Sequence, residues 1–234
     1  MDLPLTDFHI HSNLSDGSVS VDEIINFADK HGFEMIGISD HYETSKTRSI
    51  KSKYLKNYID GIRMISKKFN IPVKVGIEID FSHRTNFDEM NFDIINQLDY
   101  ALFEYVQDPV WDGKPFWEFL EVYDKFEIPV GLAHNNIDKN FKDVDYDNFL
   151  NTLESTGIFV EMNTNPIYSM FSQQYFELSM SFFESIKGRN IPISIGSDMH
   201  FYTNDMLNIK KAISFIIDLG IENNYILFLK YFKK

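Results

Sequence analysis

Histidines and carboxylates recur along this 234-residue chain at spacings that suit metal ligation. His9 and His11 are two residues apart and Asp16 follows in the next loop; His41, Glu78 and His134 come later, and Asp198 and His200 again sit two apart. Alternate residues of an extended strand share a face, so both imidazoles of such a pair can reach one ion while Phe8 and Ile10 pack elsewhere. Five of the seven histidines, with Asp16, Glu78 and Asp198, fall at the ends of short apolar runs or in an adjacent loop. Clustering so many buried charges without a cation is costly for each uncompensated group. Imidazole and carboxylate donors without thiolate suit Mn, Fe or Zn, and the chemistry expected of such a cluster is metal-assisted hydrolysis.

The elements that must position these residues can be read from the same runs. Segments 71–78, 128–134 and 191–198 each place a proline near a strand start, run apolar, and end on a candidate ligand. Apolar runs at 5–10, 33–39, 98–103 and 157–162 supply four more strands. Continuous apolar strands indicate a parallel sheet buried on both faces. Helical patterns lie between them. Ser20 and Glu23 form a capping box before an apolar face of Val21, Ile24, Ile25 and Ala28, with His31 in the last turn and Gly32 as the stop. Further helices are expected over 51–69, from Pro115 through Lys125, and at 145–155, 172–188, 205–218 and 222–232. Seven strand–helix repeats predict an α/β fold of TIM-like type, a distorted seven-stranded (βα)7 barrel formed as a single domain over 1–234, with an open doubly wound sheet as the alternative. In a barrel the chemistry gathers at the C-terminal strand ends, where these ligands lie.

Composition narrows the function classes. A hydrophobic content of 44% with 15% aromatics supplies ample core and excludes a disordered chain. The absence of cysteine excludes disulfides, thiolate nucleophiles and cysteine-ligated clusters. No apolar run approaches the roughly 18–20 residues of a membrane span, and Met1-Asp2-Leu3-Pro4 lacks signal-peptide character, so a soluble, cytoplasmic protein is expected. The net charge of −13 disfavours nucleic acid and anionic membranes as partners but not a small phosphorylated substrate, because bound cations invert the local field.

In its ordered motifs the chain resembles the PHP family, the polymerase and histidinol phosphatase superfamily of metal-dependent phosphoesterases. The matching segments are Asp7-Phe8-His9-Ile10-His11-Ser12 with Asp16-Gly17, Ser39-Asp40-His41, Gly76-Ile77-Glu78, Ala133-His134, Glu161-Met162-Asn163 and Gly196-Ser197-Asp198-Met199-His200. The resemblance implies a distorted barrel with up to three ions in its mouth. His9, His11, Glu78 and Asp198 would hold one, Glu78 would bridge to a second held with His134, and Asp16, His41 and His200 would hold the third. The family usually adds a histidine after the fourth strand. This chain has none there, so Glu104 is the candidate replacement, and a two-ion enzyme is the alternative. Stand-alone histidinol-phosphate phosphatases share Glu161-Met162-Asn163-Thr164 but carry a phosphate-binding arginine soon after, which Asn165-Pro166-Ile167-Tyr168 does not supply.

The expected reaction is hydrolysis of a small phosphomonoester by a hydroxide bridging two of two or three divalent transition-metal ions. Lys46 and Arg48, in an acid-free basic run after the second strand, and Arg84 after the third are the candidate phosphate contacts, with His83 a candidate general acid. Lys53 and Lys56 read as a solvated helix face, Arg189 as structural, and Trp111 and Trp117 as cover for the barrel edge. Three rival readings are an amidohydrolase-type C–N hydrolase, a catalytically decayed PHP module and a nuclease of the same family. The early position of Glu78, the retained ligands and the acidic balance favour the small-molecule phosphatase.

Overall fold

The strands alternate between two unlike faces. Outward residues such as Ile36, Ile38, Val75, Ile77, Ile79, Ala101 and Phe103 are fully buried, whereas most inward positions carry glycine, tyrosine, histidine or carboxylate. The computed structural model describes residues 3–168 and 173–233. Its seven strands are β1 (Thr6–Asp7), β2 (Met35–Tyr42), β3 (Val73–Asp80), β4 (Tyr100–Glu104), β5 (Val130–Leu132), β6 (Phe159–Asn163) and β7 (Ile193–Gly196). They pair in sequence order, every pair parallel. The helices α1 (Val21–Lys30), α2 (Leu55–Ser66), α3 (Phe92–Ile95), α4 (Phe116–Tyr123), α5 (Ile137–Asn140), α6 (Tyr146–Thr156), α7 (Met180–Ser185), α8 (Ile209–Leu219) and α9 (Glu222–Leu229) intervene or follow. None of the described helices is long and apolar enough to cross a membrane.

The barrel closes between its first and last strands. The Phe8 N–H donates to the Ile195 carbonyl at 2.9 Å, and Ile10 bridges Met199 in parallel. The open-sheet alternative is thereby set aside. The regular ladder of the first strand is shorter than its apolar run, because beyond Asp7 the chain bonds alternately to both neighbours. Ser39 donates to the Ile10 carbonyl, Asp198 to that of His9, and the His11 N–H donates to Met199. This two-sided grip fixes the backbone that carries both imidazoles.

Helix boundaries differ from the sequence reading mainly where 3₁₀ turns take over. Of the helix expected over 172–188, residue 172 lies outside the described residues, Gln173 and Gln174 are not helical, a 3₁₀ turn spans Tyr175–Ser179, and α7 covers only Met180–Ser185. A 3₁₀ turn at Thr203–Asn208 likewise precedes α8. The capping box of α1 is present, with the Glu23 carboxylate accepting from the Ser20 N–H and hydroxyl, and Gly32 takes a left-handed φ of 77°.

Beneath the mouth the interior is plugged by aromatic rings. Tyr100 crosses the barrel from β4 and donates its hydroxyl to the Phe8 carbonyl at 2.8 Å. Gly37 and Gly76 leave the space for this ring, as Gly131 does for Phe159. An added methyl at Gly76 would overlap the Tyr100 ring, so Gly76→Ala is expected to lower the unfolding free energy by about 1–3 kcal/mol through overpacking. The urea midpoint measures this; an unchanged midpoint would show that the plug is looser than described.

Candidate metal centre

The strand register gathers the ligands. His41 lies beside Glu78 across the β2–β3 ladder, and Asp80 beside Glu104 across β3–β4. Glu78 and Asp80 are two apart on β3 and so share the inward face. Five overlapping groups of imidazole and carboxylate atoms result, each group lying within 4.8 Å. Together they bring in His9, His11, Asp16, His41, Glu78, Glu104, His134, Asp198 and His200, and they add Asp80.

At the deepest group, the Nε2 atoms of His9 and His11 approach to 3.0 Å. The His9 Nε2 atom is 3.3 Å from Glu78 Oε1, and that of His11 is 3.3 Å from both Glu78 Oε2 and Asp198 Oδ1. Donor atoms at about 2.0–2.2 Å from a common cation lie roughly 3–3.5 Å from one another, which is the spacing seen here. A second group joins Glu78 Oε1 to His134 Nε2 at 2.9 Å, with Glu104 Oε2 at 3.8 Å from the same nitrogen. In the third, Asp16 is 3.5 Å from His11 Nδ1 and 3.6 Å from the Nε2 atoms of His41 and His200. Buried atoms without hydrogen-bond partners include His11 Nδ1, His41 Nδ1 and Asp80 Oδ1. Convergent donors of this chemistry, several of them unpartnered, fit divalent transition-metal ions.

Supporting groups orient the ligands. His9 Nδ1 faces Glu161 Oε1 at 2.8 Å, which turns Nε2 toward the cluster, and the other Glu161 oxygen accepts the His134 N–H at 2.6 Å. His200 Nδ1 contacts the Asp198 carbonyl at 2.9 Å, and the Asn165 amide donates to that same carbonyl at 2.8 Å. His134 and Asp198 adopt left-handed backbone conformations (φ 25° and 52°), strain of the kind that concentrates at functional sites. Asp40 does not join the ligand groups. It accepts from the Ser12 N–H and hydroxyl and from the Ser15 hydroxyl, and so fixes the loop that presents Asp16.

Charge balance dominates the electrostatics. Burial lowers the His11 pKa, but hydrogen bonds to Asp198 and Glu78 outweigh it and raise the group to about 9. His9 is likewise held well above its ordinary value, against burial, by Glu161, Glu78 and Asp198. His41 is driven down to about 3, chiefly by burial. Glu104 is pushed well above the carboxylate range by burial and by Glu78, whereas Glu78 is held well below it, against burial, by His9 and His41. Protons thus serve as the counter-charge when cations are missing.

The remaining sequence candidates lie at or beyond the rim. Lys46 reaches the cluster, where its ammonium bonds Glu104 and, at 2.8 Å, the Tyr105 hydroxyl. Arg48 donates to the carbonyls of Ser15 and Asn13, securing the Asp16 loop. His83 and Arg84 are exposed and outside every ligand group, and Arg84 donates to the Trp111 carbonyl at 3.2 Å. Trp111 is 56% exposed and stacks on Tyr105, so it stands at the mouth rather than sealing the barrel edge, while Trp117 packs on Phe116. Sequence reasoning passed over Asp80 and gave Glu161 no role. The alternation that linked His9 to His11 also links Glu78 to Asp80 and was the available signal.

With this geometry in place, comparison with known proteins assigns the family. The PHP domain profile matches residues 7–229, so the chain belongs to the PHP domain family. No curated protein matches it in sequence. Among solved structures it is similar to histidinol phosphate phosphatase from Lactococcus lactis subsp. lactis Il1403, solved with zinc, L-histidinol and phosphate, at 20% identity and a TM-score of 0.68 over 94% of this chain and 95% of that one. A histidinol phosphatase candidate from Listeria monocytogenes gives 16% identity and 0.58 over 89% and 98%. A chain of archaeal ribonuclease P with mature tRNA gives 12% and 0.54 over 95% and 90%. Likeness at these identities establishes the shared barrel.

Gly196 has its own place in the site, since a methyl there would collide with the Glu161 carboxylate and the His9 side chain. Glu161→Gln and Gly196→Ala should therefore each weaken divalent-metal affinity by about 10–100-fold, the usual cost of losing a partner that orients a ligand. Competition with a chromophoric chelator measures this, and wild-type affinity in both variants would remove Glu161 from the account.

Proposed function

We propose that this protein is a metal-dependent phosphatase acting on a small phosphomonoester. The observation that carries the reading is the set of overlapping ligand groups, two of them sharing Glu78, at the C-terminal mouth of the barrel. Membership of the PHP family and the fold shared with a phosphatase solved with zinc and phosphate support it. The proposed ligands are His9, His11, Asp16, His41, Glu78, His134, Asp198 and His200, with Glu104 and Asp80 lying against them within reach of the Lys46 ammonium. When bound, divalent ions supply an activated water at neutral pH and positive charge for the phosphoryl oxygens.

The protein's own groups divide the remaining work. The buried carboxylates would repel a phosphate dianion, so the mouth admits this substrate only in its cation-loaded state. Lys46, in the loop after β2, brings its ammonium to Glu104 at the mouth. Tyr105 and Tyr168 flank the His134 ring, at 6.4 and 5.5 Å between centroids, and Trp111 extends this wall outward. Such a wall suits an apolar or planar leaving group. Arg48 is engaged with loop carbonyls and the segment from Asn165 to Tyr168 has no arginine, so phosphate recognition rests on the ions and Lys46 rather than on a bidentate guanidinium clamp.

The manganese-loaded protein should hydrolyse p-nitrophenyl phosphate, lose that activity on chelation and regain it when manganese is restored. A chelated protein, free of metal by elemental analysis yet fully active, would overturn the proposal.

A further inference from the structure

Glu104, shared by the Glu78–Glu104–His134 corner and the His41–Asp80–Glu104 group, is already paired with a protein cation. The Lys46 ammonium bonds Glu104 Oε1, lies 2.8 Å from the Tyr105 hydroxyl and 3.9 Å from Asp80 Oδ1, and sits 4.8 Å from the centre of the Tyr105 ring. Its backbone is placed by the same acids, because the Lys46 N–H donates to Thr44 Oγ1 and the Thr44 hydroxyl donates to Asp80 Oδ2 at 2.8 Å. Glu104, 1% exposed, also lies 3.6 Å from His41 Nδ1 and 3.8 Å from His134 Nε2. The carboxylate that would complete an ion site with Glu78 and His134 is thus engaged by lysine. In the other groups, among the described residues, the carboxylates of Asp16 and Asp198 form ion pairs with histidines and with no lysine or arginine.

Resting on the metal-centre reading above, we infer that Lys46 is a resident monocation that takes the place of an ion at the Glu78–Glu104–His134 corner, so that the protein holds two divalent ions tightly rather than three. The argument is one of charge. Three buried carboxylates, Glu78, Asp80 and Glu104, require compensation there, and Glu78 is shared with the neighbouring group. An ammonium bonded to Glu104 Oε1 meets much of that requirement and repels a divalent ion brought to Oε2 of the same carboxylate, the oxygen that faces His134. Lys46 follows a strand-end loop that folds back over the mouth, anchored where the Ile50 N–H donates to the His41 carbonyl at 2.8 Å. The cation is therefore delivered by a fixed backbone.

Metal stoichiometry tests this without recourse to activity. Wild type equilibrated with buffered free manganese and analysed by elemental analysis and native mass spectrometry should carry two ions. Lys46→Met, which keeps length but removes charge, should gain a third, with affinity at that corner improved by at least about tenfold. Lys46→Arg should remain at two. The double variant Lys46→Met/Glu104→Gln should lose the third ion again, which ties the gain to Glu104; circular dichroism establishes that each variant is folded. Three tight ions in wild type, or two in a folded Lys46→Met, would overturn the role of Lys46 while leaving the metal centre intact. No bound ion in any variant would overturn the metal-centre reading itself.

Discussion

Mutual repulsion among buried carboxylates is the constraint on which the rest of this structure depends. Asp16, Glu78, Asp80, Glu104 and Asp198 converge on one end of the barrel, and all but Asp16 are almost completely buried. Two unit charges about 4 Å apart interact by roughly 4 kcal/mol even at an effective dielectric constant near 20. Several such pairs rival the whole stability of a domain, typically about 5–15 kcal/mol. The arrangement persists only if positive charge is supplied, by imidazolium, by Lys46 or by divalent ions. The pKa shifts express this demand, with His9 and His11 raised, against burial, by the carboxylates around them.

The barrel makes so dense a cluster possible by separating tasks along its axis. Outward faces are apolar and pack on helices, and the lower interior is filled by Tyr100 and Phe159 over glycines. The upper interior is left for ligands. Strain is confined to the rim, where His134 and Asp198 take left-handed conformations that direct their side chains inward. Their placement is over-determined, since Glu161 holds the His134 N–H and Asn165 holds the Asp198 carbonyl. Rigidity at the mouth thus derives from buried hydrogen bonds to the very residues whose backbone is least relaxed.

Much of this was legible in the sequence because strand periodicity is short and local. His9 with His11, Asp198 with His200, and the single ligands ending segments 71–78 and 128–134 follow from counting along one strand. The barrel, its seven repeats and the gathering of these residues at one end follow from the same count. Long-range pairing was not legible. That Asp80 stands beside Glu104 depends on the β3–β4 register, and that Arg48 secures carbonyls of the Asp16 loop depends on how the loop after β2 folds back. Lys46 read as a free phosphate contact because its partner, Glu104, lies 58 residues away. The 3₁₀ turns before α7 and α8 escaped notice for a related reason, since 3.0 and 3.6 residues per turn are hard to distinguish over a few positions.

The central claim is that protons and divalent ions compete for one acid-lined site. At pH 7 the ion-free His11, with a pKa of about 9, carries a proton that a bound cation must expel. Because the raised pKa favours the proton below about pH 9, cation affinity should rise with pH through that range. The most direct test is calorimetry of manganese binding to chelated protein at pH 7 in two buffers of different ionisation enthalpy. The account predicts a buffer-dependent heat corresponding to release of at least one proton per protein. Saturable binding with the same heat in both buffers would contradict it.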